Sequence, residues 1–268
     1  MVNWEGNHSQ FFMRCAYLKS MKLLGIDIGG TGIKGALVDS ENGSLVGERF
    51  RIDTPHPPLP NIVADVVGEI ASHFKYQGPA GVTFPGVVRN GIIYTACNLD
   101  SSWKGVDGAK LFAPHIGGGP VVVLNDADAA GLAEMRFGSG KGRGGVVILV
   151  TFGTGIGTAV FLDGKLLPNT EFGHLPIRGK EAEKRASDHA RQAKDLGWKD
   201  WSDLVAEFLA ELERFFSPDL FIIGGGVSRK ADKFLPHLQT KVEVVIEAAK
   251  MQNAAGIIGA ACAQCDAH

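Results

Sequence analysis

The sequence predicts an α/β protein made of two similar halves, each a mixed sheet flanked by helices. Three observations carry that prediction. Residues 26–39 read IDIGGTGIKGALVD and residues 150–163 read VTFGTGIGTAVFLD. Gly29 thus matches Gly153 and Asp39 matches Asp163, at a constant offset near half the chain. Short apolar runs alternate with stretches of helical periodicity in both halves, the pattern of an α/β architecture. Finally, 45% of the 268 residues are hydrophobic and 21% charged, enough for a packed core and too apolar for wholesale disorder.

Each element has a local signal. Residues 1–20 show no clean period and read as a loosely held N-terminal extension. The first half, residues 21–125, opens on the Ile26–Asp39 strand–glycine–strand segment, continues with a strand at Ser44–Ile52, and passes through a proline-rich loop, Thr54–Pro60. Ile62, Val63, Val66, Val67, Ile70 and Phe74 then recur at helical spacing. Ala80–Phe84 and Val121–Leu124 read as buried strands, and Ala127–Phe137 as a helix. In the second half, residues 126–252, the apolar positions from Leu204 to Phe216 mark a long amphipathic helix stopped by Ser217-Pro218. Leu220–Ile223 is a strand emptying into Gly224-Gly225-Gly226. Residues 253–268 read as a C-terminal helix packing back on the first half; Cys262 and Cys265, a C-x-x-C pair inside it, read as buried small thiols.

Composition excludes several classes of function. The balance of 27 basic and 29 acidic residues argues against a nucleic-acid partner. No apolar run approaches the ~20 residues that span a bilayer. The first twenty residues lack the features of a secretory signal, and four cysteines are too few for a disulfide scaffold, so a reduced cytoplasm is expected.

Glycine is the compositional oddity: 36 residues, well above the usual share of about 7%. Such glycine marks tight turns and places where backbone approaches a ligand. Gly30, Gly32 and Gly35 match the G-x-G-x-x-G pattern, and Asp53 mimics a ribose-binding acid. A dinucleotide fold, however, needs a helix to start inside the glycines, and here Gly35-Ala-Leu-Val-Asp39 continues as a strand. No G-x-x-x-x-G-K-[ST] occurs. A glycine hairpin is a different device, a nest of backbone N–H groups for phosphate oxygens. Gly29, Gly30, Thr31, Gly32 and Lys34 supply one nest, and Thr151, Gly153, Thr154 and Gly155 a second. Gly224, Gly225 and Gly226 form a third loop suited to a nucleotide or another phosphate. Asp27, ending the first strand, is placed to hold Mg²⁺ through water. Asn125-Asp126 comes after a buried strand, and its residues suit either a helix cap or a base for a hydroxyl proton.

These motifs together resemble a known group. Ile26–Lys34 and Thr151–Gly157 look like the two phosphate motifs of the actin-like sugar kinases, and Gly224–Ser228 like their adenosine motif. Glu171-Phe-Gly-His174 is similar to the sugar-contacting motif of the ROK (repressor, open reading frame, kinase) family. Phe84–Val88, the stretch from Asn98 to Gly105, Pro168–His174 and the Trp198/Trp201 pair resemble the polyphosphate-using glucokinase and glucomannokinase branch of that family. The resemblance spans residues 21–263 and implies a duplicated actin-like (ribonuclease H-like) fold with an interdomain cleft.

The same resemblance implies a reaction: transfer of a terminal phosphoryl from polyphosphate, and ATP as well, to the 6-hydroxyl of glucose, with mannose as a further acceptor. It implies Asp126 as the base, and Asn98, Asn125, Asp126, Glu171, His174 and Glu183 as the residues holding the sugar. The cysteine-rich zinc motif of many relatives is missing between His174 and Glu183, so no structural zinc is expected. A homodimer is expected by analogy. Trp103 could pack on a sugar face but suits core packing better. Competing readings are an ATP-dependent kinase for another hexose or an N-acetylhexosamine, and a sugar-sensing regulator. The regulator needs a helix-turn-helix, for which 20 residues before the first strand leave no room.

Polyphosphate offers neither base nor ribose, so its site must be a strip of cations and amides, and binding must weaken with salt. Two segments qualify. One holds Lys141 and Arg143. The other, residues 178–199, carries seven basic residues, among them Lys184, Arg185 and Arg191, against four acidic ones.

Overall fold

The computed structural model describes residues 21–96 and 99–266, without the side chains of residues 265 and 266. The expected extension, Cys15, Cys97, Asn98 and the thiol of Cys265 lie outside the described residues. Those described form two units: 21–96, 99–129 and 256–266 in unit 1, and 130–255 in unit 2.

Unit 1 contains β1 (Lys22–Ile28), β2 (Gly32–Asp39), β3 (Leu45–Asp53), helix α1 (Pro60–His73), β4 (Ala80–Phe84), the small hairpin β5 (Val88–Arg89) and β6 (Ile92–Ile93), α2 (Gly108–Phe112) and β7 (Val121–Asn125). It also includes the C-terminal helix Ala255–Asp266 from Gly256 onward. The sheet order is β3-β2-β1-β4-β7. β1 pairs antiparallel with β2 and parallel with β4, which pairs parallel with β7. The glycines after β1 therefore turn the chain into a hairpin, with Ile28 opposite Ile33, and open no helix.

Both faces of β1 are covered, and its alternation shows by what. Leu24, Ile26 and Ile28 pack with Val63, Val67 and Ile70, the residues that recur at helical spacing along α1. The opposite face carries Gly25, and β4 carries Gly81. A methyl at Gly25 would lie 2.0 Å from the Ile257 carbonyl oxygen, and one at Gly81 would lie 1.8 Å from that of Ala260. These two glycines admit the C-terminal helix against the sheet, where Gln264 donates to the carbonyls of Ala80 and Pro120. Cys262 is buried in this packing. Trp103 is a core residue, its indole nitrogen donating to the Pro58 carbonyl at 2.8 Å.

The chain leaves unit 1 inside helix α3 (Asp126–Phe137) rather than before it. The reason is packing: the Ala129 carbonyl lies against Gly259, where a methyl would sit 1.7 Å from its oxygen. Asn125 and Asp126 therefore both belong to unit 1, a correction to the boundary that the sequence suggests before residue 126.

Unit 2 repeats the plan. Its elements are β8 (Val146–Phe152), β9 (Ile156–Leu162), β10 (Lys165–Leu167), the hairpin β11 (Pro176–Ile177) and β12 (Lys180–Glu181), and helices α4 (Ala182–Ala186), α5 (Asp188–Ala193) and α6 (Trp198–Phe216). β13 (Leu220–Gly225), α7 (Ala231–Leu238) and β14 (Val245–Ala248) complete it. The order β10-β9-β8-β13-β14 has the same two antiparallel and two parallel pairings as unit 1. The internal echo in the sequence is thus a duplicated unit. Trp201, Val205, Phe208, Leu209 and Leu212 are the buried stripe of α6. Buried Glu134 accepts the N–H groups of Ser139 at 2.9 Å and Met251 at 2.6 Å, tying the end of α3 to the segment after β14.

Candidate active site

In unit 1 the bend Gly29–Gly32 is closed by the Gly29 N–H on the Gly32 carbonyl at 3.1 Å. Arg51 and Thr54 brace it from β3 and its end: the guanidinium donates to the Thr31 carbonyl at 2.9 Å, and the threonine hydroxyl to the Gly29 carbonyl at 2.5 Å. Arg51 lies so close that a side chain at Gly32 would collide with it. The tip, Thr31, stays exposed. Below it, Asp27 takes the Lys34 ammonium on Oδ2 at 3.1 Å and the Thr83 hydroxyl on Oδ1 at 2.8 Å.

Asn125 takes the capping role that both residue types suit. The buried Asn125 is the cap of α3: its Oδ1 accepts the N–H groups of Ala127 at 2.8 Å and Asp128 at 3.0 Å, while its Nδ2 donates to the Gly86 carbonyl at 3.1 Å. Asp126 is exposed, with Oδ1 also accepting from the Ala127 N–H at 2.9 Å. Asp128 is buried in the helix.

Unit 2 brings together the second bend, the glycine loop and the E-F-G-H segment. The Gly153 N–H closes the bend on the Gly155 carbonyl at 3.0 Å, and the His189 N–H reaches the Gly153 carbonyl at 3.0 Å from the start of α5. Register places Gly224 opposite Thr151 and Gly225 opposite Phe152, so the third loop adjoins the second. Gly225 has φ +79°, and a methyl there would be 2.4 Å from the Phe152 carbonyl oxygen, so no other residue fits comfortably.

The glycine of the E-F-G-H segment has an equally specific cause. A methyl at Gly173 would lie 2.2 Å from the Ile156 carbonyl oxygen, so the segment rests directly on the start of β9. The Thr158 hydroxyl anchors it by donating to the Thr170 carbonyl at 2.7 Å and accepting the Phe172 N–H at 3.2 Å. The result is a carboxylate-rich corner. His174 Nε2 lies 3.9 Å from Glu171 Oε2; its Nδ1 lies 3.7 Å from Glu181 Oε1 and 3.9 Å from Glu183 Oε1. Glu183 reaches the bend itself, since a methyl at Gly155 would meet its Oε2 at 2.5 Å.

Burial, reinforced by Glu183 and opposed by His174, raises the Glu171 carboxyl above its ordinary range. Its Oε1 is buried without a hydrogen bond. Glu181 is pulled the other way: the hydrogen bond from Lys184, at 2.7 Å, dominates in holding it below the usual range, and His174 adds to the effect. One atom each of His174, Glu181 and Glu183 lies close enough for a small cation, a grouping also suited to polyol hydroxyls.

The basic residues read as a donor strip sit less freely than their charges suggest. Arg143 pairs with Glu247 at 2.5 Å, Lys184 with Glu181, and Arg185 with Glu207, which Arg178 also contacts. Arg191 pairs with Asp188 at 2.8 Å and lies over Trp198, 4.2 Å from the ring centroid. Lys141 is exposed on its loop. Residues 178–199 begin with a hairpin turn, with φ +49° at Arg178 and +78° at Gly179, and continue as two short helices. Glu181, which the sequence marks only as one of the acids of this stretch, is the residue this turn delivers to His174. Its signal is the Arg178-Gly179 pair, a turn of the type that joins two strands.

Two units on one plan, each opening with a glycine-bent hairpin, the second carrying an acid–histidine corner beside its bend, define an actin-like α/β fold of the sugar-kinase kind. The chain belongs to the ROK family, whose match covers residues 23–186. It is 50% identical over 239 residues to the polyphosphate glucokinase of Mycobacterium tuberculosis, covering 89% of each chain. A structural match is the inorganic polyphosphate/ATP-glucomannokinase of Arthrobacter sp. strain KM, with TM-score 0.87 and 46% identity over 92% of this chain and 99% of that one. A ROK glucokinase from Streptomyces griseus, solved with glucose and AMPPNP, matches with TM-score 0.75 and 26% identity over 90% of this chain and 98% of that one.

Proposed function

We propose that the protein transfers the terminal phosphoryl of polyphosphate, and of ATP, to the 6-hydroxyl of glucose. One observation supports this most directly. In unit 2 the Glu171–His174–Glu183 corner and the Gly153–Gly155 bend are joined through Glu183, so acceptors for sugar hydroxyls lie beside a bend suited to phosphate. Similarity to enzymes named for both donors supports the same choice.

The chain's own groups divide the work. The bends at Gly29–Gly32 and Gly153–Gly155 offer backbone N–H groups to phosphate oxygens, and Lys34 adds positive charge. Asp126, relieved by Asn125 of most of the capping duty, orients the 6-hydroxyl and accepts its proton. Because the transition state of phosphoryl transfer is loose, that proton leaves late and aiming counts as much as basicity. Glu171 and His174 fix other hydroxyls. Asp27 suits a water-mediated rather than direct hold on Mg²⁺, because Lys34 and Thr83 already occupy its two oxygens. When bound, the ion neutralises charge on the donor oxygens. Mannose as second acceptor, a homodimer and a cytoplasmic location belong to the same reading.

A coupled assay for hexose 6-phosphate, run over a panel of sugars with ATP and then with polyphosphate, tests the proposal. Glucose turnover with both donors is expected. Turnover of an N-acetylhexosamine but not glucose, or none with polyphosphate, would overturn it.

A further inference from the structure

We infer that Glu181 is a positioning residue for His174: it fixes which imidazole nitrogen carries a proton and so which one faces the sugar. This deepens the sugar-binding reading above and rests on it.

The two sides of the ring differ. Nδ1 faces two carboxylates, Glu181 at 3.7 Å and Glu183 at 3.9 Å, whereas Nε2 faces Glu171 at 3.9 Å. The three acids are not equivalent. Glu171 is held toward its neutral form by burial, while Glu181 is kept ionised by the Lys184 ammonium on its other oxygen. The stronger negative field therefore lies at Nδ1. A proton there is stabilised, and the ring is turned with Nε2 toward Glu171.

The distance on that second side is informative. A hydroxyl oxygen placed about 2.8 Å from both Nε2 and Glu171 Oε2 spans the 3.9 Å between them. The corner thus leaves room for one sugar hydroxyl between a ring nitrogen and an acid, with the tautomer deciding which partner donates. Glu181 contacts the ring on its Nδ1 side, opposite the Nε2 that faces Glu171, and acts through the imidazole.

Nor does the side chain of Glu181 serve the fold in an evident way. It stands at the N-cap position of α4 but makes no capping hydrogen bond. Its hydrogen bond to Lys184 is on an exposed surface, where such pairs contribute little.

The test uses the full chain with ¹⁵N-labelled histidine, the His174 signals assigned by their loss in His174→Gln. In the ligand-free wild type, Nδ1 is expected in its protonated range, with that preference weakened in both Glu181→Ala and Glu181→Gln, since each removes the carboxylate charge 3.7 Å from Nδ1 while Glu183 remains. Glucose KM should rise about threefold to fivefold in Glu181→Ala, the worth of a half-exposed ion pair, with kcat changed less than about twofold. In a His174→Gln background, Glu181→Ala should add nothing. An unprotonated Nδ1 in the wild type, or additive losses in the double variant, would overturn the inference. So would loss of the Nδ1 proton on adding Zn²⁺ at micromolar concentration with recovery in chelator, because the ring would then serve a metal. The tautomer is read without sugar, so failure of the wild type to bind glucose would sink the sugar reading separately.

Discussion

Replacing Asp126 by Asn separates chemistry from structure at one atom pair. The carboxylate is exposed, and its Oδ1 accepts the Ala127 N–H at 2.9 Å, a bond that an amide oxygen preserves. The capping of α3 is left to Asn125, which is untouched. The negative charge lost from the first turn of the helix is worth about 0.3–1 kcal/mol at an exposed position. For a chain of this size that is a Tm lower by about 1–4 °C.

The kinetic cost is of another order. Loss of a positioned proton acceptor costs about 10²–10⁴ in turnover, or roughly 3–5 kcal/mol in the barrier. Turnover measured by the coupled assay should therefore fall at least about a hundredfold, while the dissociation constant for glucose, read from intrinsic fluorescence, moves about threefold or less. Asn125→Ala is the converse control. It removes the acceptor for two N–H groups and unpairs the Gly86 carbonyl, costing about 1–2 kcal/mol in the cap alone. Turnover of Asp126→Asn within about threefold of wild type would refute the base assignment.

Three further outcomes are expected. Gly81→Ala places a methyl 1.8 Å from a backbone oxygen of the C-terminal helix, which cannot yield as a side chain would. Urea unfolding should show a loss of at least about 3 kcal/mol. Glu171→Gln should raise Tm above neutrality. With its carboxyl raised by burial, the native state binds the Glu171 proton more tightly than the unfolded chain, so stability falls as pH rises from the unfolded pKa through the folded one. The amide escapes that loss, so its advantage should vanish at pH values below both. Finally, raising salt from about 50 to about 200 mM should increase the KM for long-chain polyphosphate more than that for ATP, because the longer polyanion releases more counterions. Equal shifts would argue against an extended basic contact.

Most of the frame was legible in the sequence because it is written in signals of short range. The two glycine bends, the buried strands and the stripe of α6 each come from a run of a few residues. The duplication came from comparing two such runs. Core packing of Trp103 was legible for the same reason, since a large aromatic is far more often buried than presented. What escaped depended on partners distant in the chain. The glycines at 25, 81 and 173 are needed for a carbonyl of the C-terminal helix or of β9, and nothing beside them in sequence announces that carbonyl.

The stretch 178–199 shows the same limit in electrostatic form. Counted as formal charge it is a basic strip, but a count cannot say where each carboxylate ends. Glu207, on a helix more than twenty residues away, takes both Arg178 and Arg185, and is held below the ordinary carboxylate range chiefly by its hydrogen bond with Arg178. Arg191 is neutralised by Asp188 and spread over an indole face. A polyanion entering here must share guanidinium groups with carboxylates already in place, which weakens each contact but holds the forks in fixed directions. On the proposed reading, the strip contributes orientation more than affinity. Removing Glu207 would strengthen polyphosphate binding, by freeing two arginines, while disordering the direction in which the chain is led. A Glu207→Gln variant with a lower KM for polyphosphate and a lower kcat would carry that signature; a higher KM would show instead that the carboxylate is needed to hold the arginines in reach.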